Sequence, residues 1–508
     1  MSSLADQGQV WKRLLLLISV LLLAFALRLF RLGEREIWYD EAFAVLYAEK
    51  EIPAIVSGTI TPVQGAAADI HPLLYYFFLH NWMSLGQSPF VVRFPSIVFG
   101  LLSICLVFRL GRELFTREVG LLAMTLAAVS PFHIWYSQEA RMYSLLCLAS
   151  LLSIYFFARA WREGRRLDWA AFTLFTTLSL YAHNLAFLIL FTLDLFAVVQ
   201  RRWKLFRPLL LSHVAIGILF LPWLLLVPGQ FAKVQQAYWI PKPGPSELVR
   251  TLMVFTFNLP VPDWLLPFSL FFTLLLLSLT LYRTFARSVL PNEAGHRARH
   301  LVVSLSFVPV ITMFIVSQLK SIYIERAILV CALAYYLTIA QAILRGRLPR
   351  FVIASLLPVP LLLAGSLWHQ YTYAEFPRSP FREANAYLRG LYRTGDVIVH
   401  DNKLSFFPSH YYDRDLAQEY VGDAPGSATD TLALPTQEVL CLLAQPDMAH
   451  AAAGAPRVWL VTFQRALDEA EELGERNANK AWLDSHYRLA NLQKYNDLNI
   501  YLYESSGG

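Results

Sequence analysis

The chain has 508 residues, of which 56% are hydrophobic, 14% aromatic and only 16% charged. Soluble domains carry about 25% charged residues, so this composition excludes an ordinary soluble protein and indicates a membrane protein. The formal net charge of +6 does not indicate nucleic-acid binding, because the last 140 residues carry 12 basic and 19 acidic residues and the positive excess lies in the apolar part.

Eleven apolar runs are candidates for membrane-spanning helices. About 20 mostly apolar residues are needed to cross the hydrocarbon core as a helix, since unpaired backbone groups in lipid are costly. The two runs between 168 and 200 are joined in sequence, and a single span would suit them equally; "YAHN" marks their predicted division. The predicted spans are 11–30, 90–109, 118–136, 141–160, 168–184, 185–200, 208–228, 263–283, 301–319, 326–344 and 351–368.

Basic residues predict the orientation, because Lys and Arg concentrate in cytoplasmic loops. With the N-terminus in the cytoplasm, twenty basic residues lie on the cytoplasmic side and eleven on the other. The first run has no small-residue cleavage site, so we predict a retained first span rather than a signal peptide. An odd number of spans places the C-terminus outside.

Three stretches lie on the predicted outer side: the loop 31–89, the loop 229–262 and the tail 369–508. Prolines in "YWIPKPGPSE" and "NLPVPDW" exclude one long helix from the second loop, and loops of this length often form lids or binding loops. The tail alternates apolar runs, such as "DVIVH", "RVWLVTF" and "LNIYLYE", with polar helical segments. We therefore predict a membrane domain, 1–368, followed by an external α/β domain, 369–508.

Four clusters of ionisable residues lie at the predicted outer ends of spans, and the first directly follows span one. It contains Asp40 and Glu41. An ionisable group in or beside a membrane is a functional candidate, because lipid does not stabilise it. Alternatively, both carboxylates occupy a helix start, where the helix dipole favours negative charge.

The second cluster is "DIHPLLYYFFLHNW", residues 69–82. Its apolar run of about ten residues, which includes Tyr75, is too short to span and predicts a helix lying at the interface. Pro72 suits the first turn of that helix. His71 is either a binding residue or a simple cap, and the residues alone leave both roles open.

The third and fourth clusters each put an arginine at the outer entrance of a span. "SQEARMYSL" carries Glu139, Arg141 and Tyr143, and positions 139 and 143 share a helix face. The alternative for this cluster is a local pair between the glutamate and the arginine. "KSIYIERAILV" carries Tyr323 and Arg326, and both are candidates for binding a phosphate group. Two arginines at separate entrances predict an anion bound between them.

Metal and disulfide signals are weak in this sequence. Four cysteines show no metal-ligand spacing and no internal disulfide is predicted. Hard cations prefer carboxylate oxygens, such as those of Glu41 and Glu139, so a divalent cation is possible, but no ligand set here identifies a metal. His183, at the end of the fifth span, is a weaker pocket candidate that interfacial anchoring also explains.

The order of these motifs resembles that of the membrane-embedded GT-C glycosyltransferases. A "DE" pair after the first span is followed by an "HP" helix, then by "QEARMYSL", then by "ER" before a late span. The chain is most similar in this respect to the bacterial branch of the protein O-mannosyltransferase and aminoarabinose-transferase superfamily. The resemblance implies an enzyme of a bacterial cytoplasmic membrane that moves a sugar from a polyprenyl-phosphate carrier to a glycan, lipid or protein acceptor, with inversion.

The resemblance also implies roles for residues at matching positions. Asp40 corresponds to the catalytic aspartate, with Glu41 beside it, and His71, Arg141 and Arg326 correspond to residues that hold the carrier phosphate. We expect Asp40 to act as general base, because the acceptor hydroxyl must lose its proton as it attacks. Fixed cations stabilise the charge that grows on the leaving phosphate.

Glu41 and Glu139 are further catalytic candidates, which would orient the acceptor, stabilise positive charge on the sugar ring or bind a divalent cation. Tyr323 is a further candidate for binding the donor phosphate.

Two departures limit the resemblance. This chain has "HPL" where the family often has "HPP", and Ala42 and Phe43 follow the "DE" pair where eukaryotic mannosyltransferases have a histidine. The second departure argues against a true protein mannosyltransferase and leaves the acceptor open.

Two other functions are compatible with a membrane protein of this kind. A transporter or flippase of lipid-linked sugars would need charged residues along a path through the bilayer and interrupted helices in matching halves. Apart from Asp194, almost no charge lies in mid-span, which favours an enzyme. A membrane-anchored receptor would not need eleven spans or four charged clusters on one side.

Overall fold

The computed structural model describes residues 2–236, 239–285, 293–452 and 454–505. The apolar runs form helices, as predicted. In chain order the helices before the tail are α1 (Ser2–Leu29), α2 (Tyr39–Ala48), α3 (Ile52–Ile60), α4 (Leu74–Trp82), α5 (Pro89–Leu114), α6 (Arg117–Val129), α7 (Pro131–Ser137), α8 (Tyr143–Glu163), α9 (Arg166–Ala182), α10 (Phe187–Gln200), α11 (Phe206–Leu224), α12 (Val227–Gln236), α13 (Ser246–Phe257), α14 (Leu266–Phe285), α15 (Glu293–Ser317), α16 (Leu329–Leu344), α17 (Arg350–Leu356) and α18 (Val359–Thr372).

Eight segments of the described chain are long and apolar enough to cross a bilayer, and the bent pair α6–α7 makes nine. The two remaining predicted spans are also helical, as α9 and the apolar helix Asn184–Gln200, but both are shorter than 18 residues. They are separated at His183, whose backbone is extended, so the predicted division at "YAHN" is correct. The chain is a multi-pass, mostly helical membrane protein.

The helices α5 and α6 approach each other closely at two glycines. A Cβ atom on Gly111 would lie 2.6 Å from the Cα atom of Gly120. Small residues allow such contact between helices in lipid, where association depends on van der Waals packing rather than on release of water. No larger residue fits at this crossing without moving one helix.

The bend between α6 and α7 is stabilised by a buried arginine of α1. The two helices meet at 62°, at Pro131, which lacks the backbone N–H needed to continue the helix. Arg28 is fully buried and donates to the carbonyl oxygens of Ala127 at 3.1 Å and Ala128 at 3.0 Å. Carbonyls at a helix C-terminus carry partial negative charge, so Arg28 has a structural role here.

The tail contains the predicted α/β fold. Two short strands before it, β1 (Pro62–Val63) and β2 (Ala66–Ala67), pair in the first loop. The tail sheet has the order β4-β3-β5-β7-β6, with β3, β4 and β5 parallel and β5, β7 and β6 antiparallel. Its strands are β3 (Asp396–His400), β4 (Gln418–Tyr420), β5 (Arg457–Phe463), β6 (Tyr487–Tyr495) and β7 (Leu498–Ser505).

Helices cover both faces of this sheet. Along β5, Val458 and Leu460 point into one core, whereas Trp459 and Val461 point into the other. This alternation is the period-2 pattern of a strand buried on both sides. The tail helices are α19 (Phe381–Leu391), α20 (Lys403–Tyr412), α21 (Leu434–Leu440), α22 (Met448–Ala452), α23 (Gln464–Glu472) and α24 (Ala478–His486).

The tail packs directly on the first external loop. Phe406 and Phe407 of α20 share a buried cluster with Phe43 and Tyr47 of α2. α21 lies against α3 so closely that a Cβ atom on Gly58 would be 3.0 Å from Val439. The tail therefore positions α2, the helix that carries the Asp-Glu pair.

Candidate active site

One cavity, with a volume of about 470 Å³, brings together most of the predicted site residues. Its walls come from α2, the stretch before α4, the α7–α8 loop, the junction between α9 and α10, α12, the stretch before α16 and a tail segment. Apolar side chains such as Phe220 and Leu224 complete the lining, which suits a ligand with a hydrocarbon part. The predicted residues in the lining are Asp40, His71, Arg141, Tyr143, His183 and Arg326.

Asp40 lies in the first turn of α2 and points into the cavity. The helix begins directly after Trp38, whose backbone is extended, so Asp40 lies at the N-terminal end of the helix. The helix dipole favours a carboxylate there. One carboxylate oxygen, Oδ2, lies 3.1 Å from Nη1 of Arg326. The other, Oδ1, accepts no hydrogen bond from any described residue. Asp40 is thus held by a cation and still has an oxygen available to a ligand.

Arg326 is held by aromatic rings as well as by Asp40. Its guanidinium carbon lies 5.6 Å from the ring centroid of Trp38, 5.1 Å from that of Tyr143 and 5.9 Å from that of Trp239. Rings at these distances attract a guanidinium and orient its plane. The arginine is therefore preorganised at the cavity wall beside Asp40.

Arg141 is the other cation of the wall, and His71 contacts it. His71 Nδ1 lies 2.8 Å from Oδ1 of Asp69, and His71 Nε2 lies 3.3 Å from Nη2 of Arg141. When Nδ1–H donates to the carboxylate, Nε2 is left to accept from the arginine. In this geometry His71 orients Arg141, whereas the sequence predicts that it donates to phosphate itself.

Glu41 does not line the cavity, contrary to its predicted catalytic position. It is fully buried, and its carboxylate accepts from Arg93 Nε and Nη2, each at 2.7 Å, from Arg378 and from the Ala140 N–H at 2.8 Å. Burial acts to raise the pKa of Glu41, but the two arginines outweigh it and hold that pKa well below its ordinary value. Successive helix residues point about 100° apart, which explains how neighbours reach opposite environments.

Glu139 is also outside the cavity lining. The sequence places it at the start of the fourth span, but α8 begins only at Tyr143, so positions 139 and 143 do not share a helix face. The Glu139 carboxylate is fully buried, and neither oxygen has a hydrogen-bond partner among the described residues. Burial raises its pKa to about 7. The alternative of a local pair with Arg141 is wrong as well, because no such contact is present.

Two predicted tyrosines lie away from this cavity. Tyr323 is buried, its hydroxyl lies 2.6 Å from Oγ1 of Thr251, and it lines a neighbouring cavity of about 330 Å³. Arg326 lines both cavities. Tyr75 lies in the first turn of α4, and its side chain is buried in the protein core. This helix begins two residues after Pro72. Direct phosphate binding by Tyr323 is therefore not supported by its position.

His183 and Tyr143 are aromatic residues of the cavity lining, which also contains Arg141 and Arg326. The ring centroids of His183 and Tyr143 are 6.1 Å apart, and the rings of His183 and His71 are 6.4 Å apart in an edge-on arrangement. Asn184 follows His183 and donates to the Ile70 carbonyl oxygen at 2.9 Å. The break between the two short helices thus brings a histidine and an amide to the cavity.

Several residues that line the cavity have no role predicted from the sequence. Asp69 belongs to the second cluster but has no predicted role, and Trp239 lies in the proline-containing loop. Other missed residues come from α12 and from the tail, where the lining includes Thr431, Leu432 and Thr436. The length of the loop 229–262 was a usable signal for α12, whereas nothing local marks the tail segment.

No group of three or more His, Cys, Asp or Glu side chains is placed to hold a metal ion within the described ranges. The sequence left a divalent cation possible, and the described residues add no support for it. The four cysteines are free thiols.

Solved structures with the same architecture include ArnT from Cupriavidus metallidurans in the apo state, with a TM-score of 0.61 and 13% identity over 98% of both chains. ArnT bound to undecaprenyl phosphate aligns with a TM-score of 0.59 and 12% identity, over 97% of this chain and 98% of that one. The Archaeoglobus fulgidus oligosaccharyltransferase aligns with a TM-score of 0.54 and 14% identity, over 91% of this chain and 70% of that one. At these identities the likeness shows a shared fold.

Part of the membrane domain matches a known protein family. Residues 70–226 match the model of the dolichyl-phosphate-mannose-protein mannosyltransferase family. The match covers about a third of the chain, and over this segment the chain is similar to that family of GT-C glycosyltransferases. The match supports an enzyme that takes a sugar from a polyprenyl or dolichyl phosphate, rather than the transporter considered as the alternative. No curated protein sequence matches the chain.

Proposed function

We propose that this glycosyltransferase moves a sugar, with inversion, from a polyprenyl phosphate to an acceptor hydroxyl at the outer face of a bacterial cytoplasmic membrane. The observation that carries the proposal is the contact of 3.1 Å between Asp40 and Arg326 in a cavity that Arg141 also lines. This reaction requires a base and cations that bind phosphate, together in one partly apolar cavity. The basic residues of the opposite helix ends support the orientation.

The two arginines are suited to the leaving group. When the bond between the anomeric carbon and the phosphate oxygen breaks, negative charge grows on that oxygen, and fixed cations stabilise it. Arg326 and Arg141 have planar guanidinium groups that can donate two hydrogen bonds to a phosphate. The leaving phosphate needs no general acid, because it is already a weak base.

Asp40 is the base in this proposal. It takes the proton of the acceptor hydroxyl as that oxygen attacks the anomeric carbon on the face opposite the phosphate. Its Oδ1 is the free oxygen, while Arg326 holds Oδ2. Asp69, the other carboxylate in the lining, is engaged by His71 and by the Ile70 N–H at 2.6 Å. A single displacement with one base inverts the anomeric centre.

Mass spectrometry of whole cells tests this proposal for every class of acceptor at once. Envelope glycans, lipids and proteins are compared in cells with the gene, without it, and complemented with wild type or with Asp40→Asn. We expect one component to lose the mass of a sugar without the gene and to regain it only with wild type. An identical envelope in all strains, or rescue by Asp40→Asn, contradicts the proposal.

A further inference from the structure

A second set of polar groups lines the same cavity from α12 and the tail. Gln230 and Lys233 are three residues apart on α12 and therefore share a helix face. Both line the cavity, and so does Thr431 of the tail. None of these three side chains has a role in the reaction as proposed above.

Gln230 is preorganised by its neighbours. It is 4% exposed, and its amide oxygen accepts from Asn184 Nδ2 at 3.0 Å. Asn184 is fixed in turn, since its oxygen accepts from Trp223 Nε1 at 3.0 Å. With its oxygen occupied, Gln230 has only its N–H donors left, and no described residue accepts from them.

Lys233 is a cation with no direct partner in the described part of the chain. It forms no hydrogen bond or ion pair there, although Asp430 and Asp69 act on it electrostatically. Burial is the larger influence and lowers its pKa. A partly buried ammonium without a partner is unfavourable, so an anion in the cavity would stabilise it.

The tail segment that carries Thr431 is held in place by a buried lysine. Lys403 of α20 is 5% exposed, and its Nζ donates to Asp423 Oδ2 at 2.5 Å and to the Thr429 carbonyl oxygen. Beyond the segment, Thr436 donates to the Gly58 carbonyl oxygen at 2.8 Å. The Thr431 hydroxyl makes no described hydrogen bond and is a third free donor at the cavity.

We propose that Gln230, Lys233 and Thr431 form a second anion site, which binds a phosphate group other than the one held by Arg141 and Arg326. This inference rests on the proposed function, because it assigns the two arginines to the carrier phosphate. The second phosphate belongs either to a diphosphate carrier or to the acceptor. Three donors in the lining of one cavity, one of them charged, suit phosphate oxygens in either case.

The experiment uses the purified full chain in nanodiscs. In one arm, affinities for undecaprenyl phosphate and undecaprenyl diphosphate are measured for wild type, Lys233→Met and Gln230→Leu. In the other arm, inorganic phosphate is titrated into protein already saturated with undecaprenyl phosphate. Lys494→Met is the matched control, since this exposed lysine of β6 is outside the lining of the cavity.

If the second phosphate belongs to the carrier, Lys233→Met weakens binding of the diphosphate by about tenfold or more and leaves the monophosphate unchanged. If it belongs to the acceptor, wild type loaded with undecaprenyl phosphate still binds inorganic phosphate, and Lys233→Met loses this binding. In both cases Gln230→Leu acts in the same direction and Lys494→Met has no effect.

The second site is overturned if Lys233→Met and wild type bind undecaprenyl diphosphate equally and also bind inorganic phosphate equally. It is also overturned if wild type saturated with undecaprenyl phosphate binds no inorganic phosphate and wild type binds the diphosphate no differently from the monophosphate. Loss of undecaprenyl phosphate binding by wild type itself has a different meaning. That result contradicts the proposed function rather than the second site.

Discussion

Asp40 and Glu41 are adjacent in sequence, but the structure puts them in opposite environments. Asp40 faces a cavity, contacts one arginine and keeps an oxygen free. Glu41 is buried in the protein, where both of its carboxylate oxygens accept hydrogen bonds, from two arginines and a backbone N–H. A buried carboxylate whose oxygens all have partners holds elements together, whereas the carboxylate proposed as the base keeps one oxygen free.

The largest effect on activity is expected for Asp40→Asn. Loss of a general base slows the chemical step by roughly 10²- to 10⁴-fold, while the amide keeps the shape of the side chain. Sugar transfer by purified protein measures the rate, and thermal unfolding confirms that the variant folds. Normal turnover would exclude Asp40 as the base.

Glu41→Gln is expected to affect stability instead. Removing one partner of a buried ion pair costs about 3–5 kcal/mol, because the remaining charges are left without compensation. Thermal unfolding in detergent measures the loss. The control is Glu34→Gln, since the Glu34 side chain is 69% exposed and a surface pair contributes about 1 kcal/mol or less. Equal melting of the two variants would contradict the structural role of Glu41.

Arg326→Ala tests the cation beside Asp40. A hydrogen bond to a charged group is worth about 1.5–3 kcal/mol, so affinity for undecaprenyl phosphate should fall by about 10- to 100-fold. Arg250→Ala is the control, because this arginine lies in the neighbouring cavity and pairs with Glu325 at 3.0 Å. Similar losses in both variants would point to a general effect of charge rather than to a site.

Glu139→Gln should change the pH dependence of stability. The folded-state pKa of Glu139, about 7, lies above its ordinary value. The folded state therefore holds a proton that the unfolded state has released, and wild-type stability falls as pH rises from about 4.5 to 7. Glutamine cannot ionise, so the variant should lose this part of the slope. Unfolding curves at pH 5 and pH 8 measure it, and identical slopes would contradict the shift.

The smallest effect is expected for Tyr323→Phe. The Tyr323 hydroxyl contacts Thr251 in the neighbouring cavity and does not reach the main one. Affinity for undecaprenyl phosphate should remain at the wild-type value in a binding titration. A loss as large as that of Arg326→Ala would restore the phosphate-binding role that the sequence predicts.

Much of the site was predictable because its residues occur in short motifs at helix ends. Asp40, His71, Arg141 and Arg326 are charged or polar residues beside apolar runs, and the boundary between lipid and water draws such groups to one end of the bundle. Glu41 and Glu139 carry the same local signal, yet they are buried outside the cavity. Arg93 and Arg378, which hold Glu41, are 52 and 337 residues away from it in sequence.

Local sequence determined the helices, the strands β3, β5 and β7, and the polar residues at the helix ends, because hydropathy and its period act over a few residues. Only the tertiary structure decided which carboxylate faces the cavity and that α12 and the tail segment around Thr431 help to line it. Those outcomes depend on how helices rotate and pack across hundreds of residues. No local sequence pattern predicts an ion pair between residues as far apart in sequence as Glu41 and Arg378.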